Sequence, residues 1–166
     1  MSTDWPTPVR KFEDIWTTIE PERLVYELDN YLSHKRHVRK LPLSQAERGF
    51  LLLASMQSWI EMEGFQDLFY QQYNLSDCVL VERVMREIGV ERLADLFTEA
   101  KGIYVRHRTN LTEEEFKKLE PFDLPEADVA RFDEIAEAVY ASGSELFLLA
   151  DGLAKYAQNH REEFSA

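Results

Sequence analysis

Cysteine is nearly absent from this sequence, which contains only Cys78 among 166 residues. A single cysteine cannot form an internal disulfide, so we expect a reducing compartment and predict a cytoplasmic protein. Apolar runs are also short, and none approaches the ~20 residues that a transmembrane helix needs. The segment from Met1 to Phe12 lacks an apolar run and contains Pro6 and Pro8, so we do not expect it to be a signal peptide.

Clustered glycines and grouped metal ligands are missing as well. The six glycines are scattered singly, which argues against a phosphate-binding loop. There is no cysteine pair and no His-Glu-x-x-His or Glu-x-x-His motif. Cys78 begins an apolar helical stripe and is predicted to be a buried hydrophobe, not a nucleophile. These absences predict no cofactor, no metal and no catalytic residue, and they favour a protein that is not an enzyme.

Bases are scarce compared with acids, and the imbalance is local. Residues 1–43 contain seven of each sign, whereas residues 44–166 contain 12 bases and 24 acids. Residues 112–145 alone contain 11 acids and three bases, which supplies −8 of the net charge of −12. Such a field repels nucleic acid and anionic membranes and attracts basic surfaces. The predicted partner is therefore a basic protein, without direct binding to nucleic acid or membrane.

Apolar residues recur at helical spacing from Phe12 onward, and no segment shows the alternation of a strand. The sequence therefore predicts an all-α fold, a compact multi-helix bundle of about seven to eight helices with no sheet. We expect residues 1–11 to be a flexible N-terminal arm and residues 12–166 to form a single all-helical domain. The oligomeric state is left open between a monomer and a homodimer.

Several local signals set helix boundaries. The first helix is predicted from Phe12 to Ile19, with Ile15 and Ile19 facing inward. Ser44 and Glu47 form a capping box that starts a central, nearly all-apolar helix. Residues 106–110 are predicted to be a polar loop. The basic stretch from His34 to Lys40 is most simply a solvated helix end, although it also suits phosphate binding or contact with an acidic face of this chain or another copy.

The strongest functional signal is an acidic face in the later helices. Thr112 and Glu115 form a second capping box, and a further helix is predicted from Pro125 to Tyr140. Carboxylates three or four residues apart on a helix lie roughly 5–6 Å from one another, a separation comparable to that of duplex phosphates, and each can accept charge-assisted bonds from Arg or Lys. Carboxylates on an ordinary solvated helix face that binds no partner have the same spacing. The predicted partner-binding residues are Glu113, Glu114, Glu115, Glu120, Asp123, Glu126, Asp133, Glu134 and Glu137.

Two other functions remain open at this point. Glu61, Glu63 and Asp67 flank Gly64 at a predicted bend, where a carboxylate cluster would suit a hydrolytic or metal-assisted enzyme. Alternatively, these carboxylates have no catalytic role and form the solvated rim of a helix junction. A scaffold or immunity-type module that binds its partner through an apolar surface is the remaining possibility.

One stretch resembles a known family. Trp59-Ile-Glu-Met-Glu-Gly-Phe65, followed by Leu68-Phe-Tyr70, is similar to the signature of a bacterial family of acidic helical domains. The family was long described only as a domain of unknown function, and its characterised branch is a DNA-mimic protein. Residues 87–90 and 93–96 resemble the next helix pair, so the similarity covers roughly residues 44–104 well and the acidic remainder more loosely. It implies an all-helical fold and, for the characterised branch, binding to the DNA-reading surface of a transcription regulator.

Overall fold

The computed structural model describes residues 8, 10–63, 65, 67–69, 73–108, 112 and 124–166. In these ranges every regular element is helical, which confirms the predicted all-α class. The α-helices are α1 (Phe12–Ile15), α2 (Pro21–His37), α3 (Gln45–Ala54), α4 (Met56–Glu63), α5 (Leu75–Glu87), α6 (Glu91–Arg108), α7 (Glu126–Tyr140) and α8 (Leu149–Asn159). Short 3₁₀ turns, Glu145–Leu148 and Arg161–Glu163, flank α8.

The first helix is shorter than predicted. It ends at Ile15, and Ile19, expected to face inward, is 92% exposed. Thr18 is buried instead, since its hydroxyl donates to Glu27 Oε2 at 2.9 Å and accepts from Arg10 Nη1 at 2.6 Å. These polar contacts turn the following residue outward. Arg10, which belongs to the predicted arm, thereby holds the end of that arm against α2; residues 1–7 and 9 lie outside the described residues.

Helix α3 is the centre of the body and packs against α2, α5 and α8. The capping box is confirmed, because Ser44 Oγ accepts from Glu47 N and the Glu47 carboxylate accepts from Ser44 N. The predicted central helix is interrupted at Ser55, whose hydroxyl donates to the carbonyls of α3's last turn, Leu51 and Leu52. Such back-bonding weakens the regular ladder, and α4 begins at the next residue.

Gly49 permits the close approach of α3 to α5. A Cβ at this position would lie 2.8 Å from Val84 Cγ2 and 3.4 Å from Leu80 Cδ1, so a larger residue would push the two helices apart. Asn74 caps α5 in a second capping box with Asp77. Cys78 is fully buried, as predicted.

The basic stretch at the end of α2 is not simply a solvated helix end. Lys35 is only 3% exposed, and its Nζ donates to Glu47 Oε1 at 2.8 Å. The same ammonium donates to the carbonyl of Ser165 at 2.9 Å, while Ser165 N donates to Glu47 Oε1. Next to this cluster, Phe164 packs on Phe50 and Trp16. The buried ion pair therefore fixes the C-terminal residues against α2 and α3.

An aromatic cluster connects the middle of the chain to α6 and α7. Phe69 is fully buried, with its ring centroid 5.1 Å from Phe97, 5.8 Å from Tyr104 and 6.0 Å from Phe132. Phe97 and Tyr104 lie on α6, and Phe132 lies on α7. Helix α6 also extends to Arg108, so the polar loop predicted from residue 106 is helical through residue 108.

His160 ties the end of α5 to the C-terminal segment. Its Nδ1 lies 2.6 Å from Glu163 Oε1, and its Nε2 lies 2.5 Å from Glu87 Oε1. Since carboxylates only accept, both ring nitrogens donate, which requires the imidazolium. The hydrogen bonds to Glu163 and Glu87 raise the pKa of His160 above its ordinary value of 6.5.

Stability should therefore depend on pH through His160. A raised folded-state pKa means that the stabilisation is complete below the unfolded pKa near 6.5 and disappears as pH rises through the folded value. We expect His160→Gln to lower the midpoint of urea unfolding at about pH 5.5 and to have a smaller effect at about pH 8.5. An equal loss at both pH values would show that the ionised ring contributes nothing.

Candidate interaction surface

Helix α7 presents one apolar and one charged face. Phe132, Ile135 and Val139 are buried, at the spacing of one helical stripe. The hydroxyl of Tyr140, at the end of the helix, donates to the carbonyl of Ile60 in α4. Tyr140 itself is 41% exposed. Packing on α6 and this bond hold the helix with its opposite side in solvent.

Four of the predicted partner-binding residues lie on that outer side. Glu126, Asp133, Glu134 and Glu137 are all exposed. Asp133 and Glu137 are one turn apart, which places their carboxylates on the same stripe. We call Glu126, Asp133, Glu134 and Glu137 the α7 acidic surface. The other predicted members, Glu113, Glu114, Glu115, Glu120 and Asp123, lie outside the described residues.

One base partly neutralises this surface. Arg131 donates to Glu134 Oε2 at 2.5 Å and reaches across to α6, where its Nε and Nη2 donate to the two oxygens of Glu99 at 2.6 and 2.8 Å. The guanidinium lowers the pKa of Glu99, chiefly through these hydrogen bonds. Glu134 is thus already engaged, and the sequence prediction missed Arg131 as its partner. The signal was available, because opposite charges three apart on a helix are neighbours.

Asp128 also lies on α7 but was not among the predicted partner-binding residues. Its role differs from that of the α7 acidic surface. It accepts from Arg106 Nη2 at 2.9 Å and lies 2.6 Å from His107 Nε2. The hydrogen bond from His107 is the main cause that lowers the pKa of Asp128. Asp128 therefore bridges α7 to the end of α6. Its partners lie on another helix, so no spacing in the sequence could have shown them.

The remaining charge is concentrated in two residues. Among the described residues, no hydrogen bond or ion pair engages the carboxylates of Glu126 and Glu137. Asp133 is exposed and takes part in an interaction of its own. From 126 to 140 the helix contains five acids and one base, a net charge of −4. An exposed helix with this charge can accept bonds from several Arg or Lys side chains at once.

The alternative site at the Gly64 bend stays a hypothesis. Of its three carboxylates, only the side chain of Asp67 is described, and it is half-buried. Gly64 and the side chains of Glu61 and Glu63 lie outside the described part. Where side chains are described, no group of three or more Asp, Glu, His or Cys residues is arranged to hold a metal ion. The helices within the described ranges include none with the length and apolarity that crossing a bilayer requires.

The helical body and the α7 acidic surface together define an acidic, all-α class of protein. Residues 42–160 match the family described as DMP19-like protein, and because this match covers more than half of the 166 residues, the chain belongs to that family. The family resemblance is thereby confirmed at the level of the family, and the match runs from residue 42 through α7 to residue 160. No curated protein and no solved structure matches the chain.

Proposed function

We propose that this chain is a non-enzymatic interaction protein that acts as a DNA mimic and occupies the DNA-binding surface of a basic protein such as a transcription regulator. The observation that carries the proposal is the α7 acidic surface, where Glu126 and Glu137 face solvent without a partner among the described residues. Membership of the DMP19-like family, which is named for a DNA-mimic protein, supports the same function.

The packing of α7 on the body favours binding to a DNA-binding surface. DNA-binding surfaces carry Arg and Lys arranged to meet phosphates at fixed positions. A carboxylate on a packed helix meets the same side chains without first losing conformational freedom along the backbone. Phe132, Ile135 and Val139 hold α7 rigidly, so its acids are presented in a constant arrangement. Association of this kind is steered by charge and weakens as salt rises.

The test is capture from a bacterial extract on immobilised protein, with a double variant, Glu126→Lys with Glu137→Lys, on a parallel column. We expect a basic DNA-binding protein to be retained at low salt and released by either high salt or duplex DNA. Each reversed carboxylate removes a charge-assisted bond of about 1.5–3 kcal/mol, or roughly tenfold or more in Kd. The double variant should therefore bind the captured protein at least about 100-fold more weakly.

Two control variants make the test specific. Glu20→Lys with Glu162→Lys changes the net charge equally at exposed acids outside α7 and should leave the Kd within about threefold of the parent's. Arg131→Gln removes the base that engages Glu134 and should tighten binding at low salt. Equal binding by the α7 double variant, or release by neither salt nor DNA, would contradict DNA mimicry.

A further inference from the structure

A cavity of about 280 Å³, none of whose lining residues belongs to the α7 acidic surface, lies between α2, α3, α4 and the start of α5. Its apolar wall includes Leu51, Leu52 and Leu68. This volume is close to the lower end of the range for small-molecule pockets. It is far too small for a protein segment of any length, so the cavity suits a compact ligand.

Some of the polar groups in the wall already have partners. The Tyr73 hydroxyl donates to the carbonyl of Leu52 at 2.6 Å. Asp77 accepts from Arg48 and from the Asn74 backbone in the capping box of α5. Ser55 donates to backbone carbonyls of α3. These three side chains shape the cavity, and their hydrogen bonds serve the fold.

Four other polar side chains of the wall have no partner within the described part of the chain. Among the described residues, no hydrogen bond or ion pair engages the Asp29 carboxylate, the Ser33 hydroxyl or the Arg36 guanidinium. Ser33 is only 6% exposed, Asp29 is half-buried and the Arg36 side chain is exposed. The buried ring N–H of Trp59 has no acceptor within the described part of the chain. Buried polar groups are nearly always hydrogen-bonded, so this N–H, together with the Asp29 and Arg36 charges in the same wall, indicates a polar ligand.

The order of these groups along α2 indicates the chemistry of that ligand. Asp29, Ser33 and Arg36 are spaced i, i+4 and i+7, so they share one face of the helix. The negative group lies at one end of this stripe and the positive group about 10 Å further along the axis, with the hydroxyl between them. Side chains lean toward the helix N-terminus, which brings the long Arg36 side chain back toward Asp29.

The charges in the cavity wall also indicate a ligand that has both a positive and a negative group. Burial raises the pKa of Asp29 to about 6, so the carboxylate is mostly ionised at neutral pH, and no cation pairs with it among the described residues. His37, also in the wall, does not supply one, because burial and the neighbouring Arg36 and Lys40 lower its pKa. The exposed Arg36 guanidinium can donate to an anionic group, and the buried Trp59 N–H needs an acceptor.

We propose that this cavity binds a small zwitterion of amino-acid size, with its ammonium group on the Asp29 carboxylate and its carboxylate on the Arg36 guanidinium and the Trp59 ring N–H. The Ser33 hydroxyl lies between the two charged ends and accepts from or donates to the ligand's polar atoms. Leu51, Leu52 and Leu68 contact its apolar part. This site is separate from the acidic surface, so either proposal can fail without the other.

Titration calorimetry and thermal shift of the full chain with each standard amino acid test the proposal. We expect at least one to bind and raise Tm, while its decarboxylated amine and its N-acetyl derivative each bind at least about tenfold more weakly. Asp29→Asn and Arg36→Gln should weaken binding to a similar degree, and Glu22→Gln, elsewhere on α2, should not.

Stability separates a binding role from a structural one. Since Asp29 has no partner among the described residues, the ligand-free Asp29→Asn protein should unfold at the same temperature as the parent or a higher one. Trp59→Phe keeps the ring packing but removes the N–H, and it should weaken binding while the protein stays folded. The proposal is overturned if no amino acid binds, if the amine alone binds as tightly, or if Asp29→Asn binds the ligand unchanged.

Discussion

Lys35→Met should lower the free energy of unfolding by about 3–5 kcal/mol, the usual loss when one partner of a buried ion pair is removed. The Glu47 carboxylate is fully buried, and Lys35 Nζ is its only basic partner among the described residues. Ser44 N and Ser165 N would still donate to it, but no cation would balance the charge. Urea unfolding followed by circular dichroism measures the change.

The controls separate the ion pair from the loss of a lysine as such. Lys155→Met, on the exposed side of α8, should change stability by no more than about 0.5 kcal/mol. Adding Glu47→Gln to Lys35→Met removes the uncompensated charge, so the double variant should recover part of the loss. If Lys35→Met is as mild as Lys155→Met, the pair does not hold the C-terminal residues as inferred.

Phe69→Ala should cost about 3–5 kcal/mol, because truncating a buried aromatic ring leaves a cavity that the surroundings fill only in part. The ring contacts α6 through Phe97 and Tyr104 and contacts α7 through Phe132. The lost contacts are therefore among those that hold α7 on the body. Tm and urea midpoint should both fall, with a smaller fall for Phe69→Leu.

Phe147→Ala is the matched control, since that ring is 58% exposed and its truncation should change stability by no more than about 0.5 kcal/mol. A loss for Phe69→Ala no larger than for Phe147→Ala would mean that the aromatic cluster contributes little. Under conditions where the variant is still folded, a weaker partner interaction would further indicate that the position of α7 matters for binding.

Much of the fold follows from short-range signals. The period of the apolar residues predicted the helices, and the Ser44 cap begins α3 as expected. The errors arise where a distant contact outweighs a local signal. Ile19 has the right helical spacing, but the bonds of Thr18 to Arg10 and Glu27 end the helix before it.

The candidate sites show the same division. Exposure of Glu126, Asp133, Glu134 and Glu137 agrees with the acidic face predicted for one helix, whereas Arg131 was missed although it lies only three residues from Glu134. The wall of the α2 cavity combines Asp29 and Ser33 with Trp59 from another helix. That none of the three has a partner in the described ranges is a property of packing, and no periodicity in the sequence reveals it.

The sequence by itself determined the all-α class, the helix starts at capping boxes and the location of the excess negative charge, because each depends on residues within one or two turns of one another. The tertiary structure decided which charged side chains are available to a binding partner. It buried Lys35 against Glu47 and Ser165, engaged Asp128 with α6, and left Glu126 and Glu137 in solvent. Pairing and burial depend on side chains that are far apart in the chain and meet only when the helices pack.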